Sequence, residues 1–239
     1  MIKILISTIS LLSFSIASAF TPSFNKATIS RLHAGPSNMA ELFEAKEIWD
    51  PIKKELNAVP VFSCSNEKGQ PMQYGVEGSK VAFFFTDVYA AKVELEKSKE
   101  ETKMDNLNLL PFPLGEVVEM AAKKSALIIP SEGSLMAAGA PKGINPLGQI
   151  LPLFCYTELS QDRDDGSSLT PLFISKADAE EALKMALEGS GEDISSFELQ
   201  IFPLTQAIQV AARSEGKKAY TFVPAADAIE FLRNLESFQ

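Results

Sequence analysis

One phrase of this sequence is written twice, about ninety residues apart, and a chain that repeats its landmarks in order is constrained to fold as two copies of one unit. Val59-Pro60-Val61-Phe62 returns as Leu151-Pro152-Leu153-Phe154, and Val81-Ala82-Phe83-Phe84-Phe85-Thr86 returns as Thr170-Pro171-Leu172-Phe173-Ile174-Ser175. Phe112-Pro113-Leu114 recurs unchanged as Phe202-Pro203-Leu204, and Ile129-Pro130 as Val223-Pro224. The offsets are 92, 89, 90 and 94, so four landmarks keep their order with small insertions between them. One recurring apolar run would carry little weight. Four in register indicate a tandem duplication and a pseudo-twofold molecule.

Each copy alternates strand and helix. Val59 to Cys64 is an apolar strand with a proline at its start, where a missing donor is tolerated. Asn66-Glu67-Lys68-Gly69 turns into a short strand near Met72 to Tyr74, and Val81 to Phe85 is apolar at every position, so both its faces should be covered. Thr86 and its counterpart Ser175 read as helix N-caps, with Asp178 three residues after Ser175 in a capping-box position. Ala179, Ala182, Leu183, Ala186 and Leu187 make one helical stripe. Leu114, Val117, Val118, Ala121 and Ala122 make another, which returns ninety residues on as Leu204, Ala207, Ile208, Ala211 and Ala212. The last helix, Ala225 to Leu235, is well patterned; its partner after Pro130 meets Gly133 and Gly139 and should be shorter. Ser37 to Leu56 adds a helix in front, interrupted at Pro51. The expected fold is therefore α/β: two pseudo-symmetric repeats of about ninety residues, each a small mixed sheet packed with helices, preceded by an N-terminal helix. The body spans 38–239, with repeat one at 59–138, a Gly/Pro-rich linker at 139–150 and repeat two at 151–239.

The first forty residues have a different grammar. Lys3, an apolar run from Ile4 to Ile16 and then Ala17-Ser18-Ala19 form a signal peptide (1–19), too short to span a bilayer, with cleavage between Ala19 and Phe20. Residues 20–37 carry Lys26, Arg31 and His33, several hydroxyls and no acid, which is transit-peptide composition. Ala17-Ser18-Ala19-Phe20-Thr21-Pro22 resembles the junction of bipartite plastid-targeting sequences in diatoms and their relatives, where an aromatic residue at the cleavage point marks cargo for the plastid. An ordinary secreted protein with an unstructured N-terminus is the alternative; the absence of any Asn-x-Ser/Thr acceptor leans toward the plastid.

Those forty residues hold three of the 22 basic residues and none of the 31 acidic ones, leaving 19 against 31, a body charge of −12. Such a body repels phosphate backbones and is not drawn to anionic lipid, so no nucleic-acid partner is expected. With its one histidine, His33, in the targeting segment, the body has no Ser-His or Cys-His chemistry and no histidine-ligated metal. Cys64 and Cys155 occupy the first strand of each repeat one position out of phase, and read as buried small hydrophobes rather than as a disulfide. Asp162-Arg163-Asp164-Asp165-Gly166 resembles a calcium loop, but the glycine is a residue early and position twelve is Phe173; it reads as a solvated hairpin turn. No cofactor, no metal and no catalytic residue is expected, and the chain is not expected to be an enzyme.

The segments Val59–Cys64, Val81–Leu95, Leu109–Lys123, Leu151–Phe154, Pro171–Leu187 and Phe202–Arg213 together resemble the twenty-two-kilodalton subunit of the translocon at the inner envelope of chloroplasts (Tic-twenty-two), over nearly all of the body. The resemblance implies a soluble protein of the intermembrane space of a plastid of the complex, secondary type, peripherally associated with the envelope. It further implies a chaperone-like role in protein import: a Tic-complex component that escorts unfolded precursors between outer and inner envelope translocon subunits, its partners, and that holds them in apolar grooves. Two weakly binding concavities would suit an escort, since bivalency raises retention while each contact stays quick to break. The groove is expected at aromatic residues of the repeated segments, Phe62, Phe84 and Phe112 with Phe154, Phe173 and Phe202; the competing reading is that these are ordinary core residues. A plastid scaffold or assembly factor of the stroma or thylakoid lumen, and a plastid enzyme of unknown chemistry, are the other classes open to the sequence.

Overall fold

The computed structural model of the chain describes residues 39–76, 78–162, 168–213 and 220–236. The targeting segments, with Ala19, Phe20 and His33, lie outside the described residues, as do residues 163–166 of the acidic turn. From Gly35 onward the chain is one compact unit.

Two helices come first, α1 (Met39–Glu44) and α2 (Lys46–Leu56). The break falls at Ala45 and not at Pro51, which sits inside α2 at the cost of one helical hydrogen bond. Packing outweighs that loss, because Trp49, Ile52 and Leu56 recur at helical spacing and are all buried. Then come β1 (Pro60–Ser65), β2 (Gln73–Val76), β3 (Ser79–Phe85), α3 (Val88–Thr102), β4 (Asn108–Pro113), α4 (Leu114–Ala122), β5 (Ala126–Ile129) and α5 (Glu132–Ala137). The same order follows as β6 (Pro152–Cys155), β7 (Gln161–Asp162), β8 (Ser168–Phe173), α6 (Lys176–Ala186), β9 (Gln200–Pro203), α7 (Leu204–Arg213), β10 (Tyr220–Val223) and α8 (Ala226–Glu236).

The two sheets share one topology. In the first, β1 lies antiparallel between β3 and β4, β5 runs parallel to β3, and β2 forms a hairpin with β3. In the second, β6 lies antiparallel between β8 and β9, β10 runs parallel to β8, and β7 forms the hairpin. Register repeats as well: Pro60 faces Pro113 as Pro152 faces Pro203, and Phe62 faces Phe85 as Phe154 faces Phe173. The first N–H of α4 and of α7 is satisfied in the same way, Leu114 by the Val59 carbonyl and Leu204 by the Leu151 carbonyl, both at 2.9 Å.

That pairing corrects one expectation. The strand-to-helix landmark is offset by 88 residues and not 89, because Thr86 and Ile174 make equivalent ladder bonds, to the carbonyls of Ile129 and Val223. Thr86 is buried just past the end of β3 and Asp87 is the N-cap of α3, accepting from the Tyr89 and Ala90 N–H groups. Ser175 does cap α6, accepting from Asp178 N–H at 3.3 Å. Asp178 does not close the capping box; its Oδ2 accepts from the Ala226 N–H at the start of α8.

Alternation along the strands divides the core. Val59, Val61, Leu151, Leu153 and Cys155 point into a central cluster shared by both repeats, with Trp49, Phe84, Leu114, Leu172, Leu204 and Ile208. Phe62 and Cys64 point outward into a second cluster beneath α3, and Phe154 and Tyr156 into a third beneath α6. The final helix of each repeat packs on the opposite sheet. Ala225, Ala228, Phe231 and Leu232 of the α8 segment join the cluster outside the first sheet, where Phe231 meets Phe62 edge-on at 5.3 Å, and Ala137 of α5 joins the cluster outside the second. As expected, α5 is the shorter helix. It ends in a Schellman turn, with Gly139 at φ 95° and the Ala140 N–H bonded to the Leu135 carbonyl.

Candidate functional site

The six phenylalanines of the expected groove do not meet in one place. Phe62, Phe84 and Phe154 are wholly buried and Phe173 nearly so. Phe84 belongs to the central cluster, Phe62 to the cluster outside the first sheet, and Phe154 and Phe173 to the cluster outside the second. Phe112 and Phe202 are half-buried at the margin of the central cluster, Phe112 against Phe84 with ring centroids 5.2 Å apart and Phe202 beside Tyr220 at 6.5 Å. Only this last pair has surface to offer a ligand. The other four are core residues in this conformation, each fully buried ring contributing about 2–3 kcal/mol to folding.

The apolar concavity of the first repeat lies elsewhere, between α3 and the segment that follows β5. Its volume is about 590 Å³. Phe83, Phe85 and Ile129 form the floor, at the C-terminal ends of β3 and β5. Tyr89 and Val93 of α3 make one wall, and Pro130 and Leu147 the other. Tyr74 stacks flat on Phe83 at 4.0 Å and holds that side of the floor. Tyr89 and Val93 are 64% and 70% exposed, although Val88, Ala91 and Leu95 of the same helix are buried. α3 thus carries a large apolar pair on its outward side near its N-terminus, among exposed Lys92, Glu96, Lys97 and Glu100, which a helix with one core-facing stripe does not need. A second, smaller concavity of about 480 Å³, lined by Met72, Met104 and Leu107 together with amide side chains, opens elsewhere on the first repeat.

The larger groove is not duplicated in kind. At the 88-residue offset Tyr89 and Val93 become Ala177 and Glu181, both exposed and neither offering a large apolar surface. The residues that open the groove are therefore ones at which the two repeats differ. Comparison of matching segments points away from them. The signal that could have found them is the exposed Tyr89/Val93 pair, one turn apart on a helix whose inward stripe is already complete.

All the charged residues lining the groove are acidic: Asp87, Glu94 and Glu132. Asp87 is fixed by its capping role, and Glu132 by accepting from the Gly143 N–H at 2.7 Å. Lys92 sits over the Tyr89 and Phe231 rings, at 5.4 and 5.0 Å, and is not a lining residue.

Among the described residues no group of three His, Cys, Asp or Glu side chains is arranged to hold a metal. Both cysteines are free thiols buried in different clusters. Burial raises the Cys64 thiol above its ordinary value, and burial, followed by the field of Glu158, pushes Cys155 up to about 11, so both are protonated and poorly nucleophilic at neutral pH. The best-formed ionic cluster, Lys53 with Glu116 at 2.9 Å and Glu119 at 3.1 Å, is an α2–α4 tie. Burial alone would raise Glu119, but the Trp49 indole N–H and Lys53 outweigh it and hold the carboxyl below its usual range. Among the described residues no helix is long and apolar enough to cross a membrane.

No protein-family model and no curated protein sequence matches the chain. Among solved structures the fold is similar to Tic22 from Plasmodium falciparum, with a TM-score of 0.63 and 19% identity over 79% of this chain and 98% of that one. It is similar also to Anabaena Tic22, described as a protein-transport protein, with a TM-score of 0.59 and 15% identity over 78% of this chain and 96% of that one. The fold is Tic22-like, as the resemblance of the repeated segments implied.

Proposed function

We propose that this chain, built on the Tic22 fold, is a plastid protein-import component that holds unfolded precursor segments in the groove between α3 and the start of α5. In this reading it resides in the intermembrane space of the envelope, escorting precursors between outer and inner translocons. The observation that carries the proposal is the exposed apolar pair on the outward side of α3. Tyr89 and Val93 stand in solvent beside Phe83, Phe85, Ile129 and Pro130, and a precursor side chain laid there would remove apolar surface from water on both partners. Burying Val93 alone is worth about 1–2 kcal/mol, so retention would come from several such contacts made at once, each small enough for release without nucleotide. The description of Anabaena Tic22 as a transport protein supports the same direction.

The test is light scattering of a heat-denatured client with and without the body (Gly35–Gln239), which is one compact unit. Suppression of aggregation at near-stoichiometric ratios without nucleotide is the expected result, together with its loss in the Tyr89→Ser/Val93→Ser double variant. Both substitutions lie on exposed positions and leave the core intact. A folded wild-type protein that suppresses nothing would overturn the escort reading in favour of a scaffold, identifiable by cross-linking in plastids.

A further inference from the structure

We infer that the groove selects for basic amphipathic segments, those with apolar side chains along one face and Lys or Arg flanking them. The inference rests on the escort reading and narrows its substrate class. It stands on the composition of the rim. Asp87, Glu94 and Glu132 bring three carboxylates to an apolar cleft, and no cationic side chain lines it. They come from two elements: Asp87 at the N-terminus of α3, Glu94 near its middle and Glu132 at the start of α5.

A purely apolar ligand would partly desolvate these carboxylates and bring them no counter-charge, whereas Lys or Arg beside the apolar face would meet them. An acidic segment would bring like charges into the same cleft and be rejected, which is how a charged rim adds selectivity to a groove whose apolar floor has little of its own. The groups already in contact with the rim do not cancel it. Glu94 accepts from Ser98 at 3.4 Å and meets Lys97 at 3.7 Å, the latter a loose pair one turn along α3. Glu132 spends one oxygen on the Gly143 N–H, and Lys92 faces Tyr89 and Phe231. The body's net charge of −12 extends the same preference to long range and speeds encounter with a cationic partner at low salt.

The test is fluorescence anisotropy with two labelled peptides of about eighteen residues, five helical turns. Both carry the same leucine face; one has lysine on its polar face and the other glutamate. The lysine peptide should bind tighter by on the order of tenfold in dilute buffer, with the gap closing as salt shortens the screening length from about 10 Å at 0.1 M toward about 3 Å at 1 M. In the Glu94→Gln/Glu132→Gln variant, which keeps both acceptor oxygens, the gap should shrink by more than half while the leucine face still binds. In Val93→Ser both peptides should weaken. Equal binding of the two peptides, or a preference unchanged in the double Gln variant, would overturn the charge selection and leave apolar capture standing. No binding of either peptide by the folded body would overturn the escort reading too.

Discussion

At Gly115 the missing side chain is what lets two helices meet. A Cβ there would lie 2.4 Å from Asn57 Oδ1 and 2.7 Å from the Lys53 carbonyl, so the start of α4 passes the end of α2 with only a hydrogen between them. Asn57 Oδ1 is itself buried without a hydrogen-bond partner among the described residues, so the contact is already a tight one. Gly115→Ala should destabilise the protein by about 1–3 kcal/mol, read as a lower urea midpoint at unchanged slope. The counterpart ninety residues on is Thr205, an exposed position; the glycine is demanded by α2 and not by the duplicated unit. Lys124 presents the opposite case. It holds φ at 58° in the turn that ends α4, where the Lys124 N–H bonds the Ala121 carbonyl and the Ser125 N–H the Met120 carbonyl. A side chain in that left-handed position is strained. Lys124→Gly should therefore raise stability by about 0.5–1 kcal/mol, seen as a higher urea midpoint, because relieved strain exceeds the added freedom of the unfolded chain.

At the scale of elements, the exchange of last helices explains why α8 matters to a sheet from which it is remote in sequence. Its N-terminus is pinned beside α6 by Asp178, and its body lies over Phe62 on the first sheet. Asp227 in its first turn is half-buried, and burial lifts its carboxyl above the usual range, with Asp87 and Asp178 adding to the effect. The folded state therefore holds this proton more tightly than the unfolded chain does. The stability so gained is full below the ordinary carboxylate value and is lost as pH rises through the raised one. At neutral pH the charge is a net cost. Asp227→Asn keeps the oxygen that accepts from the Ala228 N–H and should stabilise at pH 7 by less than about 1 kcal/mol, since solvent screens a half-exposed site. Thermal melts at pH 7 and pH 3 check this: the gain should be present at the first and absent at the second.

For the whole molecule, the decisive fact is that the central cluster draws on α1, α2 and both sheets at once. Each sheet packs its inner face on the other repeat in that cluster, and α8 of the second repeat completes the cluster outside the first sheet. Residues 59–138 and 151–239 expressed separately should thus lack cooperative tertiary structure, giving no sharp thermal transition by circular dichroism. The intact body should unfold in one step, with Trp49 fluorescence, which reports the central cluster, coincident with the far-ultraviolet signal. Two independent transitions would mean that the repeats are separate domains.

What the sequence determined by itself was whatever depends on local pattern and on its recurrence. The alternation of strand and helix, the apolar stripes of α4 and α7, the opposite orientation of Cys64 and Cys155 and the short α5 all follow from spacing. Tertiary structure decided the rest. The 88-residue register is set by which carbonyl Thr86 and Ile174 reach, not by which letters match. Pro51 stays inside α2 because the burial of Trp49, Ile52 and Leu56 outweighs its missing hydrogen bond. The proposed groove lies mostly off the repeated aromatics for a physical reason: Phe62 and Phe84 fill the core, as Phe154 and Leu172 do in the other copy. Tyr89 and Val93 differ from their counterparts and stand in solvent, and a concavity forms beside them only once β5, Pro130 and the inter-repeat linker have come to lie across from α3.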